Sequence, residues 1–190
     1  LRPGDVVVAY VVHTEAYDED GTKQRQISQI YDEVMAEPLP YVLGGDFNEL
    51  PPTAVRTDDF LDERSSPVCG EDFDQPPYTP EVMRPFFDDL VPWVPLSRFG
   101  TTEAEQARYY THSVLGGNEV NEDGEPGAWN RTLDYLFASP GTTWQPGSTD
   151  VLQSAGQRVG DASGIGPVLV SEPLDLSDHA PVFGVWEVTP

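Results

Sequence analysis

The sequence predicts a layered α/β or α+β domain, and three observations predict it. The first is a strand, helix, strand order across roughly the first quarter of the chain, between Asp5 and Gly45. The second is a pair of later apolar segments, Arg131 to Ala138 and Pro181 to Val188, that read as further strands. The third is the presence of 19 Pro and 17 Gly among 190 residues, which favours turns over long helices. That length suits one domain, or a piece of a larger one.

The elements follow in order. Asp5 to Thr14 centres on VVVAYVVH, a β-branched run bounded by Pro3-Gly4. Its lack of alternation predicts a strand buried on both faces, with Val7, Ala9 and Val11 in its inward set. A polar loop, Glu15 to Gly21, follows. From Lys23 to Met35, Ile27, Ile30, Tyr31, Val34 and Met35 form the i, i+3, i+4, i+7, i+8 stripe of an amphipathic helix, which Pro38 and Pro40 end. Tyr41 to Gly45 (YVLGG) is a short second strand. Leu50 to Pro80 is rich in Asp, Pro and Ser and reads as loop. Phe86 to Trp93 is an apolar patch of undecided type, Gly116 to Gly127 is a polar loop, and Pro140 to Gly166 is weakly patterned.

Charge is the main compositional signal. There are 33 acidic residues against nine Arg and one Lys, Lys23, for a formal net charge of -23. Such a charge repels itself at low salt, and it fits a halophilic protein whose surface charge is screened at high ionic strength. It disfavours nucleic acid as a partner in dilute buffer, and the scattered arginines form no basic patch. Trp93 and Phe99 are the aromatics to consider for membrane docking. No run is apolar enough to span a bilayer. A lone cysteine, Cys69, excludes an internal disulfide framework. Neither feature fixes the compartment: the cytoplasm of a halophile and export both fit.

Three motifs carry chemistry. In Gly44-Gly45-Asp46-Phe47-Asn48, a continuing strand would put Asp46 and Asn48 on one face, where a carboxylate and an amide can converge on a cation or a phosphate. The competing reading is an ordinary turn. In Ser177-Asp178-His179-Ala180-Pro181, Asp178 suits a hard cation and His179 suits proton transfer or a bond to a phosphoryl oxygen. A loop Asp beside a surface His is the alternative. In Arg131-Thr132-Leu133-Asp134-Tyr135, Asp134 is a carboxylate inside an apolar strand and needs a partner. A histidine would serve, as would a salt bridge to Arg131. His13 ends the first strand and His112 has no supporting context. The acidic loops at Asp18 to Gly21 and Asn121 to Gly124 place glycine at the wrong offset for calcium-binding EF-hand loops.

Taken together, VVVAYVVH, the helix with Gln26 and Gln29, YVLGGDFN, RTLDYLFAS and LSDHAPVFGVW resemble, in order and spacing, the endonuclease/exonuclease/phosphatase superfamily of DNase I-like metal-dependent phosphoesterases. The resemblance runs from about Val6 to the C-terminus. It implies an α+β fold, a four-layer α/β/β/α sandwich of which residues 1–190 would be the C-terminal part, with the N-terminal part missing. It implies that Asp46 activates or orients the attacking water and that Asn48 binds the phosphoryl group. Asp178, with Asp46 and Asn48, would bind the metal. His179 would stabilise the transition state, Asp134 would orient it, and His13 would contact the phosphate or the leaving group. The implied cofactor is Mg²⁺, with Mn²⁺ or Ca²⁺ able to substitute. The implied partner is a phosphate-ester substrate, nucleic acid first and phospholipid or sugar phosphate next. The family's metal-binding Glu belongs to the missing half; Glu15 and Glu49 do not match it.

Overall fold

The structure, a computed structural model, describes residues 6–16, 20–58, 60, 78–121, 123–157 and 168–188. Cys69 and the acidic residues Asp18 and Glu19 lie outside them. The chain is α+β. Strand β1 (Val8–His13) leads through helix α1 (Thr22–Ala36) to β2 (Tyr41–Asp46). Helix α2 (Arg84–Asp89), strand β3 (Val91–Pro92) and short helices α3 (Leu96–Phe99) and α4 (Glu103–Gln106) follow. Then come β4 (Asp134–Ala138), β5 (Thr143–Trp144), β6 (Asp150–Val151), β7 (Val182–Phe183) and β8 (Trp186–Glu187).

Among the described residues the main sheet has the order β1-β2-β4-β3, and β5-β8 and β6-β7 form two small sheets. Strands β1 and β2 are parallel, as expected when a helix makes the crossover. Strands β2 and β4 are antiparallel. Gly45 permits the close approach of β1. Its φ is +140°, and a Cβ there would sit 2.0 Å from the carbonyl oxygen of Val12. Glycine is therefore required where the first two strands converge on their C-terminal ends.

The core lies between the sheet and the helices. Phe47, Phe86, Phe87, Tyr135 and Phe137 pack there, largely edge to face, and fix the end of β2 against β4. Helix α1 adds Ile27 and Val34.

Several expectations change. Among the described residues β1 is one of the two edge strands of the sheet, and it is not buried on both faces. Tyr10 and Val12 pack against the core, whereas Ala9 and His13 are exposed and Val11 is 89% exposed. The inward set is thus the opposite of the one read from the run. On α1, Met35 is exposed, and Lys23 at the other end of the helix is buried, its Nζ donating to the carbonyl of Asn48 at 2.9 Å. Trp93 and Phe99 are buried in the core and offer no membrane surface. The Phe86 to Trp93 patch is the end of α2 followed by β3. The expected strand Pro181 to Val188 is two short strands, β7 and β8, which pair with different partners. The weakly patterned stretch supplies β5 and β6.

Candidate active site

Strand register builds the site. His13 is the cross-strand partner of Asp46, and Asp46 is the partner of Asp134. Residues directly opposite in a sheet project from the same face, so the ends of β1, β2 and β4 set these three side chains in a row. Asp46 is the last residue of β2, and the chain turns at once. Asn48 takes a left-handed φ of 48° and its N–H donates to Asp46 Oδ1 at 2.7 Å. This Asx-type bond closes the turn. It corrects the picture of Asp46 and Asn48 as alternate residues of one continuing strand.

The turn is held firmly. Asn48 Nδ2 donates to the carbonyl of Thr14 at 2.9 Å, and the Thr14 hydroxyl donates to the carbonyl of Phe47. The Lys23 ammonium lies 3.5 Å from Glu49, both side chains being at most 1% exposed. Tyr135 OH donates to the carbonyl of Glu49 at 2.8 Å. Asn48 therefore sits in the site as a buried, anchored amide.

His179 arrives from the loop before β7. Its N–H donates to Ser177 Oγ at 3.0 Å, and Ala180 N–H donates to the carbonyl of Thr111 at 2.7 Å. The imidazole Nδ1 lies 2.8 Å from Asp134 Oδ2. Its Nε2 lies 3.7 Å from Asp46 Oδ2, and His13 Nε2 lies 3.5 Å from the same oxygen. Asp134 thus has the histidine partner, the first of the two anticipated. The Arg131 guanidinium instead lies over the Phe60 ring, 4.0 Å from its centre.

Electrostatics separates the two central groups. Burial, reinforced by the charge of Asp134, pushes the Asp46 carboxyl up to about 6, against the Asn48 N–H and the neighbouring imidazoles. The hydrogen bond to Asp134 pulls His179 up to about 9, against the effect of burial. At neutral pH the site pairs an ionised but poorly solvated carboxylate with an imidazolium. Asp46, moved toward neutral pH in this way, suits the work of a base, whereas His179, moved away from it, suits a standing positive charge.

No family profile matches the sequence, and no curated protein does. Among solved structures, a mannosyl-6-phosphatase from Bacteroides thetaiotaomicron is 16% identical, with 97% of this chain and 52% of that chain covered at a TM-score of 0.48. A conserved protein of unknown function from Enterococcus faecalis is 14% identical, with 95% and 50% covered at 0.45. An endonuclease/exonuclease/phosphatase family protein from B. thetaiotaomicron is 16% identical, with 93% and 47% covered at 0.44. The chain spans about half the length of each of the three. These are distant likenesses, and the site is read from its own geometry.

The structure brings His13, Asp46, Asp134 and His179 together and places Asn48 in the turn beneath them. Asp178, exposed, groups with His112 and His179; the other cluster of donor atoms among the described residues is Asp46, Asp134 and His179. His112 is the residue that sequence reasoning passed over. It forms an isolated β-bridge to His179 and another to Arg131, and its ring lies 4.7 Å from that of His179. Burial and the charge of Arg131 press it down to about 3, so it is neutral. The local sequence Thr111-His112-Ser113 gave no sign of this, because its bridge partners, Arg131 and His179, are far away in sequence.

A cavity of about 720 Å³ lies elsewhere on the described surface and is lined by none of the site residues. Arg56, Tyr110, Trp129 and Asn130 line it together with the acidic side chains of Glu103, Asp123 and Glu125. Among the described residues no helix is long and apolar enough to cross a membrane.

Proposed function

We propose that this chain carries the catalytic residues of a divalent-metal-dependent phosphoesterase, in which an activated water attacks phosphorus in line with the leaving oxygen. The observation that carries the reading is the Asp134–His179–Asp46 arrangement. A carboxylate fixes one imidazole nitrogen at 2.8 Å, and the other nitrogen lies 3.7 Å from a second, half-buried carboxylate.

Each side chain then has a task. Asp46 orients the water and takes its proton as the phosphorus–oxygen bond forms. His179, charged and held by Asp134, donates to a phosphoryl oxygen as negative charge gathers on it. Asn48, anchored in its turn, fixes the phosphoryl group. His13, with its side chain 76% exposed, stands at the rim toward the leaving group, whose oxygen takes a proton from solvent.

The residues fit a cation. Asp46 is a carboxylate whose charge is poorly solvated, and its cross-strand neighbour is another carboxylate, so a positive charge there is favourable. Asp46, with Asn48 and Asp178, would hold Mg²⁺, with Mn²⁺ or Ca²⁺ able to replace it. When bound, the cation would neutralise phosphoryl charge. The substrate is a phosphate ester, and a nucleic acid phosphodiester is the leading choice. A compact sugar phosphate is the second reading, supported by the net charge of -23, which repels a polyanion at low salt.

The wider architecture belongs to the same reading. A second sheet from elsewhere in the protein would complete a four-layer sandwich and cover the exposed apolar side of β1, where Val11 stands out. Residues 1–190 alone would then lack both that sheet and the remaining metal ligand.

The test uses full-length protein in molar KCl, with phosphate esters and single- and double-stranded DNA as substrates. Hydrolysis should vanish in EDTA and return with Mg²⁺ or Mn²⁺. Undiminished hydrolysis in EDTA would overturn the metal-dependent mechanism.

A further inference from the structure

We propose that His112, Asp178 and His179 form a second cation site, selective for a borderline metal such as Zn²⁺ over Mg²⁺, whose occupancy withdraws His179 from the reaction. The inhibitory half rests on the phosphoesterase reading; the binding half does not.

Each of the three residues offers one ligand atom, and these atoms lie within 4.8 Å of one another. Donors around a tetrahedral Zn²⁺ stand about 3.4 Å apart, given bond lengths near 2.1 Å, so small side-chain rotations would close the set. Two nitrogens and one carboxylate oxygen form a donor set that suits zinc, whereas Mg²⁺ prefers oxygen alone.

The surroundings are those of a ligating histidine. His179 has one ring nitrogen against the Asp134 carboxylate at 2.8 Å, which orients the ring and leaves Nε2 as the ligand atom. Metal-bound histidines are commonly backed by a carboxylate in this way. The β-bridge between His112 and His179 fixes the spacing of the two rings. Among the described residues His112 Nδ1 is buried and makes no close hydrogen bond, a polar atom of the kind that calls for an explanation. Asp178 is exposed at the mouth of the pair, so a cation can enter from solvent.

The consequence follows from the sharing of His179. Its Nε2 cannot bind a metal and donate to a phosphoryl oxygen together. Zn²⁺ in this site would therefore block turnover, and because the phosphoesterase reading also gives Asp178 to Mg²⁺, a rise in Mg²⁺ should raise the Zn²⁺ concentration needed.

The experiment is calorimetric titration of full-length protein with Zn²⁺ in molar KCl and millimolar Mg²⁺, with Co²⁺ absorption as a second readout. Wild type should take up one Zn²⁺ at micromolar concentration and give the visible bands of nitrogen-ligated Co²⁺. His112→Ala and Asp178→Asn should each weaken uptake at least tenfold. Because Asp178 is exposed, its variant tests the site even where His112→Ala fails to fold. Uptake unchanged in Asp178→Asn, or no micromolar uptake in wild type, would overturn the site. In the activity arm, Zn²⁺ should abolish Mg²⁺-supported hydrolysis over the range in which it binds. Binding without inhibition would overturn the inhibitory role and leave the site standing. Absence of hydrolysis under every condition would count against the phosphoesterase reading and leave the binding result intact.

Discussion

Nδ1 of His179 lies 2.8 Å from Oδ2 of Asp134, a residue that β-sheet register sets directly beside Asp46. One carboxylate therefore orients the imidazole, and the other faces its free nitrogen. The two carboxylates differ in use because only one of them holds the ring.

His179→Ala should lower turnover by at least about 10²-fold, the usual loss for a group acting on charge in the transition state. Asp134→Asn should act through His179 and lower the imidazole's titration from about 9 toward its ordinary value. The sign on stability follows from that elevation. The bond between Asp134 and the imidazolium is fully formed below the unfolded value of about 6.5 and is lost as pH rises through about 9. Urea midpoints of metal-free protein should fall across that window in wild type and fall less in His179→Gln. Parallel curves for the two would show that the ion pair contributes nothing.

Asp46→Asn should cost activity and add stability. Burial raises the Asp46 carboxyl to about 6 from an ordinary 3.8, so folding disfavours its charge. Its contribution to stability is fully present below 3.8 and lost as pH rises through about 6. Asn removes the charge and can still accept the N–H of Asn48. The attraction of both imidazoles is already contained in that elevation, and the gain in EDTA at pH 7 should be on the order of 1 kcal/mol, or about 2–4 °C for a chain of this size. Turnover should drop at least about 10²-fold. A variant that loses stability would mean that the neighbouring imidazoles outweigh desolvation.

Much of this site was legible in sequence, and the reasons differ by residue. Asp134 announced itself as a carboxylate in an apolar strand, and His179 as a strand-end imidazole able to satisfy it. Asp46 stood out in sequence as a candidate, but its relation to Asn48 was open between two readings. A Gly-Gly-Asp-Phe-Asn run fits both a strand and a turn, and the left-handed φ of Asn48 decides for the turn. The order strand, helix, strand was likewise readable, whereas the exposed side of β1 was not. Its outward residues, Ala9 and Val11, are as apolar as its inward ones, so no alternation marked the faces. His112 was invisible because only tertiary pairing carries it to His179. Lys23 broke the helical stripe for a polar reason, its reach to Asn48 and Glu49.

Lys23→Met should destabilise the protein by about 3–5 kcal/mol, the usual penalty for removing one member of a buried ion pair. Lys23 and Glu49 are both almost fully buried, and the ammonium also binds the carbonyl of Asn48. Glu49 keeps N–H donors from Leu50 and Thr79, at 3.0 and 2.9 Å, but its charge would lose its ammonium neighbour. The double variant Lys23→Met/Glu49→Gln should recover more than half of the loss, because no buried charge is then left over. Thermal melts of the wild type, the single variant and the double variant decide this. A double variant no better than the single would show that the Lys23 bond to Asn48, rather than charge balance, holds the turn.

Stability should also rise with salt. The net charge of -23 comes from 33 acidic residues against ten basic ones. Several basic groups are already committed within the fold. Arg56 pairs with Glu103 and Arg84 with Glu81, while Lys23 is buried. The outer face of α1 carries Asp32 and Glu33, both exposed. Repulsion among such groups acts over a Debye length of about 10 Å at 0.1 M salt and about 3 Å at 1 M. Between those limits the folded state loses most of its self-repulsion, while exposed ion pairs worth about 0–1 kcal/mol each lose little in absolute terms. Net screening therefore favours the fold. The melting temperature of full-length protein should climb steadily from 0.1 M to molar KCl, and the same series in tetramethylammonium chloride should follow it, since screening depends on ionic strength. A flat or falling series would remove the halophilic reading. A rise with KCl alone would assign the effect to bound K⁺ in place of screening.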